Sequence, residues 1–97
     1  MERDMRQLAL SFADYLTSLK GYSKNTVKSY LVDTLDLIDF LETEKVTDIR
    51  EVDLALLRQW LWSVSQRDAA NSTLARKSAA IRSFTAWCLT RGVIVAD

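Results

Sequence analysis

The sequence predicts an all-α domain of four helices. The 97-residue chain has no proline and only two glycines, so few positions in it break a helix. Gly21 and Gly92 each close a segment whose apolar residues recur at intervals of three and four, the spacing of one helix face. Apolar residues make up 48% and charged residues 27%, enough for one core and too little charge for disorder.

The first helix is expected over residues 2–20, with Met5, Leu8, Ala9, Phe12, Leu16 and Leu19 as its core stripe and Gly21 as its stop. The second opens at Ser23-Lys24-Asn25-Thr26 and runs to about residue 42. Val27, Tyr30, Leu31, Thr34, Leu37, Ile38 and Leu41 form its inner face, and Asp33, Asp36 and Asp39 an acidic outer ridge. Residues 43–52 read as a polar connection with a short turn at 48–50. The third helix follows Asp53, whose carboxylate suits an N-cap, and runs to about residue 66 with Leu57, Trp60, Leu61 and Val64 inward. Residues 68–71 make a loop. The fourth helix is capped by Asn71 or Ser72 and stopped by Gly92.

The fourth helix carries the most functional information. Leu74, Ser78, Ile81, Phe84, Thr85 and Cys88 fall on one stripe and should face the core. Ser72, Arg76, Ala79, Ala80 and Ser83 then face outward, a surface that is small, hydroxyl-bearing and slightly basic. Such a face suits either a nucleic-acid groove or an ordinary solvated helix.

Charge is zero overall and unevenly spread. Residues 20–28 hold Lys20, Lys24 and Lys28 without an acid. Residues 67–91 hold five bases against one acid, and residues 33–53 hold eight acids against two bases. Because screening limits the reach of a charge to about 8–10 Å, a neutral domain with that layout can present a basic face to phosphate. Solvation of helix surfaces explains the same layout equally well.

Catalytic and metal chemistry find no support. Cys88 lies on the apolar stripe of a chain without histidine, so a core thiol is the expectation. Tyr15, Tyr22 and Tyr30 lack an arginine–histidine cluster to stabilise a transferring phosphoryl group. Trp60 reads as core, and Trp62 and Trp87 as nearer the surface. Nothing supplies a glycine-rich phosphate loop or a cysteine–histidine ligand set, so neither cofactor nor small-molecule substrate is expected. No apolar run approaches the roughly 20 residues of a membrane span, no secretory leader is apparent, and one cysteine suits a reducing compartment. A cytoplasmic domain is the expectation.

Two motifs carry a resemblance. The first is Ser23-x-x-Thr26-x-x-x-Tyr30, after a Lys-Gly turn and before the apolar run at 37–41. The second is Thr73-Leu74, Lys77, Ala80-Ile81-Arg82-Ser83-Phe84, Trp87 and Gly92. In this order they resemble the N-terminal core-binding domain of tyrosine recombinases and phage integrases, with the Xer chromosome-dimer-resolution branch the nearest in pattern. The resemblance covers about residues 5–96.

The resemblance implies a four-helix SAM-like orthogonal bundle spanning residues 1–97 that clamps one face of double-stranded DNA. Strand exchange would belong to a separate C-terminal catalytic domain, which is absent from this chain. It implies four recombinase protomers around two duplexes, with the first helix contacting neighbouring subunits. It places DNA contacts at Ser23, Lys24, Asn25, Thr26, Lys28 and Ser29, and at Ser72, Thr73, Arg76, Lys77, Ala80 and Ser83. Lys77 stands where the family commonly has arginine, so a phosphate contact there replaces a bidentate base contact. Arg82 matches a typical family arginine on the helix flank, where it either bridges to a neighbouring helix or touches DNA. The fragment should then bind DNA without cutting it. A helical protein–protein interaction module is the alternative.

Overall fold

A computed structural model of the chain describes residues 4–67 and 70–94. Among them are four helices, α1 (Met5–Ser18), α2 (Lys24–Thr43), α3 (Leu54–Arg67) and α4 (Asn71–Thr90), with a 3₁₀ turn at Ile49–Glu51 before α3. The four helices lie where the apolar periodicity put them. The proposed start of the first helix at residues 2 and 3 lies outside the described residues.

Local chemistry sets most ends. Asp4, Ser23 and Asp48 cap α1, α2 and the 3₁₀ turn by accepting a backbone N–H, and the Asp53 carboxylate accepts the Leu56 N–H at 2.9 Å at the start of α3. At the end of α4, Gly92 takes φ +71°, its N–H donating to the Leu89 carbonyl and the Val93 N–H to that of Cys88, both at 3.0 Å. Lys45 does the same after α2 at φ 61°, with the Val46 N–H donating to the Leu41 carbonyl at 2.9 Å. That stop was invisible in the sequence because a lysine fills a position glycine usually takes. The expected cap of α4 is corrected. Ala70 holds the N-cap position without a side-chain cap, and Asn71 is already helical.

α2 packs most extensively on α1 and next on α4, with α3 closing the far side of α4. Met5, Leu8, Ala9, Phe12 and Leu16 of α1 meet Leu37, Ile38 and Leu41 of α2, and Ile49 of the turn seals one end. Phe12 stands edge-on to Phe84 at 5.3 Å and 5.6 Å from Trp87. Burying such a ring contributes about 2–3 kcal/mol.

Two expectations about faces are corrected. Leu19 is 79% exposed, because α1 ends one residue earlier and Leu19 leaves the stripe. α4 is rotated from the expected face, so that Lys77, Ala80, Ile81, Phe84, Trp87 and Cys88 are buried while Ser78 and Thr85 are only half-buried. The rotation brings the Trp87 indole against Phe12 and Phe84, burying more apolar area than a serine and a threonine offer. Trp87 is therefore core, whereas Trp62 is exposed as expected.

Candidate nucleic-acid interface

The rotation of α4 decides what each candidate side chain can reach. Lys77 is seven residues before Phe84, two helical turns along the same face, so burying Phe84 carries Lys77 inward. Only 8% of it stays exposed. Its ammonium is received by Asp33 at 3.0 Å and Asp36 at 3.2 Å. Arg76 beside it donates Nε and Nη2 to the two oxygens of Asp33, at 3.0 and 2.9 Å. Such two-point pairing fixes the plane of the guanidinium, whose side chain is still 46% exposed.

The acidic outer ridge of the second helix is thereby corrected at Asp33 and Asp36, while Asp39 is exposed as expected. Asp33 is fully buried, and the successive acids fasten α2 to its three neighbours. Asp33 meets Arg76 and Lys77 of α4, Asp36 meets Lys77 and Arg67 of α3, and Asp39 with Glu42 meets Arg6 of α1 at 2.5 and 2.6 Å. Burial pushes the Asp36 carboxyl up, but hydrogen bonds from Arg67 and Lys77 outweigh it and hold the group below its ordinary range. Arg6 is held above its ordinary value chiefly by Glu42 and Asp39.

The remaining candidates divide clearly. Ser23, Lys24, Asn25, Thr26 and Lys28 are exposed on the first turn of α2, and Ser29 is half-buried. The Ser23 hydroxyl is engaged locally, accepting the Thr26 N–H at 3.2 Å and donating to Thr26 Oγ1 at 3.0 Å. On α4, Ser72 and Arg76 are exposed, and Thr73 and Ser83 half-buried. Ala80 is fully buried. Its expected outward position, and that of Lys77, are corrected by the same rotation. Arg82 is exposed beside α3 and makes no ion pair among the described residues.

Two contacts bring the halves of the candidate set together. The Asp33–Arg76 pair joins α2 and α4 about two and a half turns beyond the N-terminus of α2. Lys20, just before α2, lines a shallow hollow with Ser83, Ala86 and Thr90 of α4. Lys20 was outside the expected contact set, although its place in the acid-free 20–28 segment was the signal for it. Tyr22 braces this turn, its ring edge-on to Tyr30 at 6.1 Å and its N–H donating to the Leu16 carbonyl at 3.0 Å.

The candidate nucleophiles among the described residues are buried or packed on other rings. Burial pushes the Cys88 thiol up to about 12, against a small opposing pull from Arg91, so the reactive thiolate is suppressed. Tyr15 packs against Phe12 and Trp87, and Tyr22 against Tyr30. The described residues contain no cluster of three metal-ligating side chains, and none of their helices is long and apolar enough to cross a membrane.

Comparison with known proteins places this geometry in a family. The family described as phage integrase, N-terminal SAM-like domain, matches residues 10–92. A protein named tyrosine recombinase XerC from Bifidobacterium longum (strain DJO10A) is 41% identical over 87 residues, covering 90% of this chain and 24% of its own length. Proteins of the same name from Mycobacterium bovis (strain BCG / Pasteur 1173P2) and Mycobacterium tuberculosis (strain ATCC 25177 / H37Ra) are 34% identical over 93 residues, covering 96% of this chain and 31% of their own length. The chain thus spans about a quarter to a third of the length of these relatives. No solved structure matches it significantly. The match over residues 10–92 shows that the chain belongs to the phage integrase family, as its N-terminal SAM-like domain.

Proposed function

We propose that this domain binds duplex DNA as a non-catalytic N-terminal domain of a Xer-type site-specific tyrosine recombinase. The observation that carries the reading is that α2 is fastened to α4 through Asp33 and Arg76, while Lys20, just before α2, lines a hollow with Ser83 of α4. Lys20, Lys24 and Lys28 stand exposed in the acid-free segment, and no ion pair engages them among the described residues. Asp33 holds Arg76 at the surface of α4. Ser72, Thr73 and Ser83 supply small hydroxyl-bearing positions where a sugar–phosphate backbone can approach closely.

This arrangement favours a contact set smaller than the sequence expected. Lys24, Asn25, Thr26, Lys28 and Arg76 carry it, with Lys20 added and with Lys77 and Ala80 serving the packing of α4 instead. Strand cleavage is assigned to another domain of the recombinase, because cleavage requires charge stabilisation on the phosphate that no cluster among the described residues provides. Neighbouring recombinase subunits and a cytoplasmic location complete the reading.

Titration of a mixed-sequence duplex at several salt concentrations tests it. Each phosphate neutralised contributes a log–log slope of about −0.9, and three to five contacts give a total of roughly −3 to −4.5. Affinity independent of salt, or no binding at low salt, overturns the reading. A nicked suicide substrate should yield no covalent adduct, and a tyrosyl–DNA adduct would overturn the division of labour.

A further inference from the structure

The other side of α4 differs in chemistry. Leu54, Leu57 and Leu61 recur along α3 at helical spacing, yet α3 buries only Trp60 and Val64 fully. The leucine ridge is left along a cleft whose opposite wall is α4, with Ile81 at its base. Leu54 is 61% exposed. The apolar floor continues around the start of α3, where Leu54 and Leu57 also line a second hollow with Ile49, Val52 and Ile94.

One arginine stands on each wall. Arg58 projects from α3 and Arg82 from α4, both line the cleft, both are exposed, and neither makes an ion pair among the described residues. By contrast, Arg6, Arg50, Arg67 and Arg76 all meet carboxylates within the chain. An apolar groove between two helices, with a cation on each rim, matches the apolar stripe and flanking carboxylates of an acidic amphipathic helix.

We propose that the α3–α4 cleft is a docking groove for an acidic amphipathic helix of a partner protein. The leucines receive apolar residues at i, i+3 and i+7, and Arg58 and Arg82 receive carboxylates on either side of that stripe. DNA is a poorer occupant, because a phosphate backbone offers nothing apolar to a cleft lined by exposed Leu54 and half-buried Leu57 and Leu61. The assignment stands apart from the DNA-binding reading and uses different residues.

The test employs two labelled helical peptides of about four turns, sharing a leucine stripe and differing only in glutamate or lysine beside it. Fluorescence anisotropy should show the glutamate peptide binding at least about tenfold more tightly than the lysine peptide. The double variant Arg58→Glu/Arg82→Glu should reverse that order, and amide shifts of the natural protein should move at Leu54, Leu57, Leu61 and Ile81. Both sites are exposed, and circular dichroism checks that the variant is folded. Equal binding of the two peptides, binding of neither, or shifts confined to other surfaces overturns the proposal. So does a double variant that weakens binding of a mixed-sequence duplex while leaving the peptide order unchanged, which would assign both arginines to phosphate.

Discussion

The two basic segments of the chain differ in what becomes of their charge. In residues 20–28 all three lysines are exposed without carboxylate partners among the described residues. In residues 67–91, Arg67, Arg76 and Lys77 meet Asp33 or Asp36, and Arg91 lies over the Trp87 ring at 5.2 Å. A formal charge count treats the segments alike. Packing makes the first a field that phosphate can feel and turns much of the second into an internal fastening.

The fastening can be broken at Asp33, where the largest effect is expected. Asp33→Ala leaves the buried Lys77 ammonium with Asp36 as its carboxylate partner and removes the two-point pairing of Arg76 with Asp33. Losing one partner of a buried charge network costs about 3–5 kcal/mol, read by denaturant unfolding. A loss below about 1 kcal/mol would place the pair in the class of weak surface bridges instead.

The contrast sharpens in DNA binding. Lys24→Ala should shrink the salt slope by about 0.9 and leave stability nearly unchanged. Lys77→Met should change the slope much less while lowering stability. If both variants lower the slope equally, the buried ammonium reaches phosphate and the distinction between the segments fails.

The smallest effect is on acid stability. Burial raises the Asp36 carboxyl, but the hydrogen bonds from Arg67 and Lys77 hold it below its ordinary value, so its contribution is present above the unfolded-state pKa and lost as pH falls through the folded-state one. Unfolding free energy should therefore decline on acidification below about pH 4, and Asp36→Asn should flatten that limb. An identical limb in the variant would mean other carboxylates govern it.

The four helices and most of their ends were legible because they depend on local patterns. Met5 to Leu16 repeats at helical spacing, Ser23 and Asp53 are good caps, and Gly92 marks a stop. The face of α4 was harder to read. Serine, threonine and alanine dilute its apolar stripe, so two stripes one position apart fit almost equally well. Burial of Trp87 against Phe12, a partner 75 residues away, decided between them. The ion pairs were equally hidden, since Asp33 and Lys77 lie 44 residues apart and each alone reads as a solvated charge. Of the candidate positions, those at the start of α2 are exposed as expected, because exposure follows from their place at a helix start. On α4 the tertiary contacts redistributed the roles.

The buried Cys88 thiol gives this domain a built-in clock. With burial pushing its pKa up to about 12, the thiol stays protonated at neutral pH. Exclusion by the surrounding core also blocks a bulky alkylating reagent. Modification then waits for the helices to part, so the labelling rate counts excursions of the whole bundle, and a DNA duplex or a docked helix that slowed it would reveal binding without any added probe.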